Sequence, residues 1–210
     1  GSALAAAAIG GETEIVEFLV QEGKADVNMQ LQNGNYGSVL EAAIIRGEIE
    51  MVKFLVQEGK ADVNMQLQNG RYGSALARAA IREETEMVKF LIQEGKADVN
   101  MQLQNGRYGS ALAAAALRGK TEMIKFLIQE GKADVNMQLQ NGNYGSALAA
   151  AAIGGETEIV RFLVRQGKAG VNMQLQNGRY GSALAAAAIG GETEMVKFLV
   201  QEGKVDVNMQ

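Results

Sequence analysis

A stretch of 36 residues recurs through this 210-residue chain almost letter for letter, opening with Gly-Ser at positions 1, 37, 73, 109, 145 and 181. A period of this length marks a stacked array, in which each unit touches only its neighbours and none buries its apolar face alone. The expected organisation is one array over residues 1–210, in units 1–36, 37–72, 73–108, 109–144, 145–180 and an incomplete 181–210. The repeat also argues against an enzyme. An active site gathers unlike residues once, whereas like units offer the same group at each step along a surface, an arrangement suited to recognising something long.

Composition narrows the chemistry further. The chain has neither His nor Cys, so Ser-His-Asp and Cys-His arrangements and imidazole or thiolate zinc sites are unavailable. No metal site and no cofactor are expected. The Asp26-x-Asn28-x-Gln30 segment lacks the Gly and Glu that a calcium loop needs at its sixth and twelfth positions, which are Leu31 and Gly37 here. A net charge of −4 makes general nucleic-acid affinity and a membrane-surface role unlikely expectations. Apolar runs such as Ala3 to Ile9 are too short to span a bilayer. The Ala-rich opening is not expected to be a signal peptide, because the same segment recurs in later units. The lack of Cys fits a reducing, cytoplasmic location.

Within the first unit, Ser2 precedes Ala3-Leu4-Ala5-Ala6-Ala7-Ala8-Ile9, a run of strong helix formers that a Ser hydroxyl caps well. Gly10-Gly11 ends that helix. A second helical pattern follows from Thr13 to Glu22, with Ile15, Val16, Phe18, Leu19 and Val20 on a wide apolar face and Gly23-Lys24 as its stop signal. Val27, Met29 and Leu31 then alternate with Asn28, Gln30 and Gln32 before Asn33-Gly34, a hairpin turn signal. Each helix is below the roughly 12 to 15 residues at which isolated helices become marginal in water, so stacking must stabilise the array. The Leu4, Ala7, Phe18, Leu19, Val27, Met29 and Leu31 columns read as core.

The segments Gly11-x-x-Glu14-Ile15-Val16-x-x-Leu19, Gly23 and Ala25-Asp26-Val27-Asn28 resemble the second helix and following turn of the ankyrin repeat, and the resemblance runs through every unit. It implies a mainly α solenoid of helix-turn-helix units joined by short β-hairpin loops. Ser2-Ala3-Leu4-Ala5 stands where that family has Thr-Pro-Leu-His, so the hydrogen bonds made by the family's His are not expected. Three extra residues lengthen the family's usual unit to 36. Such long units, with Tyr-Gly-x-Ala-Leu at the junction, are similar to the C-terminal arrays of fungal NOD-like receptors, which implies a ligand-sensing role in innate immunity.

Where the copies disagree, recognition is expected. Residue 35 of the unit alternates as Asn35, Arg71, Arg107, Asn143 and Arg179, side chains predicted to line up along the loop tips. The first helix changes at Val39, Glu41, Ile44 and Arg78, and its end at Arg46, Arg82 and Arg118, where other units have Gly10, Gly154 and Gly190. Glu41, Arg78, the residue-35 row and the Arg46, Arg82 and Arg118 set are the predicted ligand-binding residues. The two Arg sets are either solvated surface drift or basic stripes suited to carboxylate or phosphate groups on a partner. An exposed Gln30-Gln32-Asn33 ladder is expected beside them. Changes such as Glu83 for Gly, Gln166 for Glu and Gly170 for Asp read as drift, favouring a natural array over an artificial consensus scaffold without a ligand. The first and last units carry the apolar pattern of the middle ones, which predicts uncapped ends and end-to-end self-association. The function read from the sequence is therefore non-catalytic binding of a protein, peptide or extended polymer.

Overall fold

Each Gly-Ser in the sequence opens the same pair of helices. The protein, a computed structural model, is described over residues 2–32, 36–68 and 72–208, and it divides into two compact units, Gly1–Asp98 and Val99–Gln210. The first unit holds α1 (Ala3–Gly10) and α2 (Thr13–Gln21), α3 (Val39–Arg46) and α4 (Ile49–Gln57), and α5 (Ala75–Arg82) and α6 (Thr85–Gln93). The second holds α7 (Ala111–Leu117) and α8 (Thr121–Gln129), α9 (Ala147–Ile153) and α10 (Thr157–Arg165), and α11 (Ala183–Ile189) and α12 (Thr193–Gln201). In each unit the first helices pack in a row, α1 on α3 on α5 and α7 on α9 on α11, and each carries its second helix on one side.

The Ser column caps as expected. Ser2, Ser38, Ser74, Ser110, Ser146 and Ser182 each accept a hydrogen bond at Oγ from the backbone N–H three residues on, at 3.1–3.2 Å. The two Gly stop signals work differently. At position 11 of the unit the backbone is left-handed, with φ +81° at Gly11 and +76° at Gly47, and Glu83 is held there at +61°. Gly23 is required for closeness instead, since a Cβ would lie 2.7 Å from the Leu19 carbonyl oxygen. The left-handed residue at this second stop is Lys24, with φ +52°. Its Nζ donates back to the Gln21 carbonyl, placing a cation on the last turn of α2.

The predicted Leu4, Ala7, Leu19, Val27 and Leu31 columns are mostly buried, but the Met29 column is not core: Met29 is 46% exposed and Met65, Met101, Met137 and Met173 are only half-buried, because this segment runs along the loop surface rather than in a strand. Within the first unit Phe54 and Phe90 are buried, while Phe18 is 62% exposed. Alternation after the second helix does not make strands: among the described residues there is none. Among the described residues a backbone bond spans each loop, Leu31 N–H to the Gly37 carbonyl at 2.9 Å, and likewise Leu67 to Gly73 and Leu139 to Gly145. The loops are joined across repeats mainly by side chains. Asn28 Nδ2 donates to the Lys60 carbonyl at 3.1 Å and its Oδ1 accepts from Asp62 N–H at 2.7 Å, and Asn100 and Asn136 repeat both bonds in the second unit. A side-chain amide satisfies the backbone here where a ladder strand otherwise would.

Candidate functional site

The residues predicted to bind a ligand fall into three environments. Asn35 and Arg71 lie outside the described residues. In the second unit the rest of that row is drawn together, because Asn143 N–H donates to the Arg107 carbonyl and Arg179 N–H to the Asn143 carbonyl, each at 3.0 Å. Backbones joined this way lie about 5 Å apart, closer than the 8–10 Å spacing of packed helices. The approach depends on small residues. A Cβ on Gly142 would meet Gly109 N at 2.8 Å, and one on Gly109 would meet the Asn141 carbonyl oxygen at 2.5 Å. This explains why the Gly of Asn-Gly and the opening Gly never vary. Arg107 and Arg179 are exposed at the edge of the row.

The second environment is the end of the first helix. Arg46, Arg82 and Arg118 are all exposed. Arg82 Nε is ion-paired with Glu84 Oε1, and Arg118 Nη2 donates to Tyr108 Oη at 3.2 Å. Arg46 arches over the neighbouring turn, its Nη2 3.3 Å from where a Cβ of Gly11 would stand. The intended basic stripe is therefore partly neutralised within the protein.

The third environment is internal. Glu41 is fully buried, as are Val39 and Ile44. Glu41 Oε2 accepts from Gly37 N–H at 2.6 Å, while its Oε1 is buried with no hydrogen-bond partner. Burial pushes its carboxyl above the usual carboxylate range, against the pull of the Gly37 N–H and of the charge on Arg78. Arg78, half-buried on the next first helix, stacks its guanidinium 4.0 Å from the centre of the Tyr72 ring and leaves a buried Nε without a partner. Glu41 thus has no surface to offer in this arrangement, and only Arg78 of the two approaches the outside. The signal for this was in the sequence: Ser38-Val39-Leu40-Glu41 is a Ser-x-x-Glu capping pattern, with the carboxylate reaching the N–H of Gly37.

The tyrosine column was not singled out by the sequence reading, yet it carries the groups just described. Tyr108 and Tyr144 are buried and stacked, with ring centres 6.4 Å apart and planes 28° apart. Burial raises the Tyr144 hydroxyl above its ordinary pKa, opposed by the charge on Arg107. The Gln30 column is also committed rather than free. Gln30 Nε2 donates to the Gln66 carbonyl at 3.1 Å and its Oε1 accepts from Gln68 N–H at 3.1 Å, leaving Gln32 as the exposed amide. A depression of about 510 Å³ opens in the first repeat among Ser2, Ala5, Ile9, Met29, Leu31 and Tyr36. No group of acidic side chains able to hold a metal ion occurs among the described residues, and no described helix is long and apolar enough to cross a membrane.

A family model described as ankyrin repeats (3 copies) matches residues 1–67, 40–139, 76–177 and 112–210. Among solved structures, the chain is similar to the ankyrin repeat domain of Bcl-3, a member of the IkappaB protein family. The TM-score is 0.75 at 24% identity, covering all of this chain and 89% of that one. A search of curated proteins finds no match.

Proposed function

The chain belongs to the ankyrin-repeat family, a fold of non-enzymatic protein-interaction modules, and from that premise we propose that it is a recognition array for an extended protein or peptide ligand. The observation that carries this reading is the backbone-joined row Arg107–Asn143–Arg179. It presents one side chain per repeat in fixed register, with two exposed guanidiniums on either side of an amide. Carboxylates spaced along an extended chain suit such a row. Arg71 and Asn35 extend it by sequence, and the exposed Arg46, Arg82 and Arg118 are further candidates. Nucleic acid is the weaker candidate because the chain is acidic overall.

In this reading the array is the sensing section of a larger cytoplasmic receptor, similar to fungal NOD-like receptors of innate immunity. The 36-residue unit and its Tyr-Gly-x-Ala-Leu junctions support that placement. End-to-end stacking of copies belongs to the same proposal. Phe18, Ile15 and Met29 on one end face and Ile189, Val200 and Val207 on the other are all exposed, although Phe54, Phe90 and Met51 show how a neighbouring repeat buries such groups. Each large side chain covered adds about 1.5–3 kcal/mol. Light scattering is expected to show association that rises with concentration and falls in Phe18→Glu; a strict monomer at millimolar protein contradicts it.

The recognition reading is tested by quantitative capture from a relevant lysate, comparing the wild type with a variant carrying Arg71→Asn, Arg107→Asn and Arg179→Asn. The variant should lose specific partners while melting unchanged. Equal recovery by both removes the row from the function, and recovery of no specific partner by either leaves a scaffold without its own ligand. A steep fall of capture with rising salt, traced to phosphate-bearing partners, points to nucleic acid instead.

A further inference from the structure

The fifth repeat departs from its neighbours on the opposite layer, along the second helices. Its Arg161, Arg165, Gln166 and Gly170 stand where the fourth and sixth repeats have Lys125 and Lys197, Gln129 and Gln201, Glu130 and Glu202, and Asp134 and Asp206. Three of these four changes each raise the charge by one, in a single repeat. Residues 109–180 carry eight Lys and Arg against five Asp and Glu, whereas residues 1–108 carry ten against fifteen. Gln166 and Gly170, which read singly as drift, thus combine with Arg165 into a local shift of one sign on an otherwise acidic chain.

The structure gives these residues a shape. Thr121 and Lys125 of α8, Glu158, Arg161, Phe162 and Arg165 of α10 and its C-cap Gln166 surround a depression of about 230 Å³. Arg161 is held in place by packing rather than by hydrogen bonds. Its guanidinium lies 4.6 Å from the centre of the Phe198 ring, and its nearest carboxylates, Glu158 and Glu202, stand at 3.7 Å, too far to accept a hydrogen bond. Arg165 lies over the same ring at 5.4 Å and pairs with Glu202. In the neighbouring repeats the lysine of this column is instead satisfied on its own helix, Lys125 by Glu122 and Lys197 by Glu194, each at 2.7 Å. A stacked arginine at the rim of a hollow, with its nearest carboxylates beyond hydrogen-bond distance, is preorganised for a closer acceptor from outside.

We propose that the α8–α10 face of the second unit is a second docking surface, for an acidic, Asp/Glu-rich peptide segment of a partner, with Arg161 and Arg165 as its anchors. The peptide carboxylates displace Glu202 from the two guanidiniums. This surface shares no residue with the Arg107–Asn143–Arg179 row, so the two proposals fail separately.

The test is fluorescence anisotropy of a labelled glutamate-rich peptide against the full chain at low salt. A variant carrying R161K, R165Q, Q166E and G170D returns the fifth repeat to residues its neighbours already hold in the same fold, and its melting curve checks folding. It should bind about tenfold more weakly, some 1.4 kcal/mol, and the same tenfold loss should persist when the four changes are made in an R107N/R179N background, where the loop row cannot contribute. Equal binding by the fifth-repeat variant, no binding by the wild type, or tighter binding of a single-stranded oligonucleotide of equal charge overturns the proposal.

Discussion

α3 and α7 begin with the same serine cap and the same leucine, yet one buries a carboxylate and the other buries alanine alone. Around α3, Glu41 lies fully buried against Gly37, and Arg78 on the next first helix answers it from above Tyr72. Around α7 the equivalent positions are Ala113 and Ala150, both fully buried, and Tyr108 and Tyr144 stack on one another. The same fold therefore accepts either filling. The difference teaches that a position where copies disagree is not thereby a surface position: Val39, Glu41 and Ile44 vary inside, while Arg107, Arg165 and Arg179 vary outside.

Moving the carboxylate to the alanine side tests this most severely. A113E places a charge where no arginine answers it, and urea unfolding is expected to lose about 3–5 kcal/mol; the double variant A113E/A150R should recover part of it. In the other direction, R78A strips Glu41 of its cation and should cost roughly 2–3 kcal/mol at pH 7. That loss shrinks on acidification. The folded carboxyl pKa is raised, so the folded protein holds this proton more tightly than the unfolded chain, and stability falls as pH rises from about 4.3 through the folded value. Restoring alanine at both places, E41A/R78A, should gain about 1 kcal/mol and remove this part of the pH dependence; an unchanged pH profile would show that Glu41 is not its source. The smallest effect concerns the turn between α5 and α6, where E83G relieves a left-handed glutamate and should raise stability by about 0.5–1 kcal/mol.

Periodicity made most of this fold legible. The Ser caps, the paired helices and the Phe and Leu core columns follow from local propensity and repetition. What escaped reading depends on contacts a full repeat away. Gln30 and Asn28 look like exposed loop amides, but each is bonded to the backbone of the next repeat. Alternation suggested strands because the loop's apolar residues do face inward, as Val27 and Leu31 show, without a partner strand to complete a ladder. Glu41 read as a ligand contact because a charged residue among alanines suggests surface; only the capping pattern pointed inward. The arginines at 46, 82 and 118 were legible as exposed, but the partners of Arg82 and Arg118 were not, because Glu84 and Tyr108 serve other columns.

The account's central claim is that exposed deviations serve recognition while buried ones serve packing. It is tested most directly by quantitative partner capture with two chains, one carrying E41A/R78A and the other R71N/R107N/R179N. The account predicts wild-type capture by the first and loss of partners by the second, with both folded. Loss of the same partners by the buried-pair variant, or full capture by the loop-row variant, would contradict it.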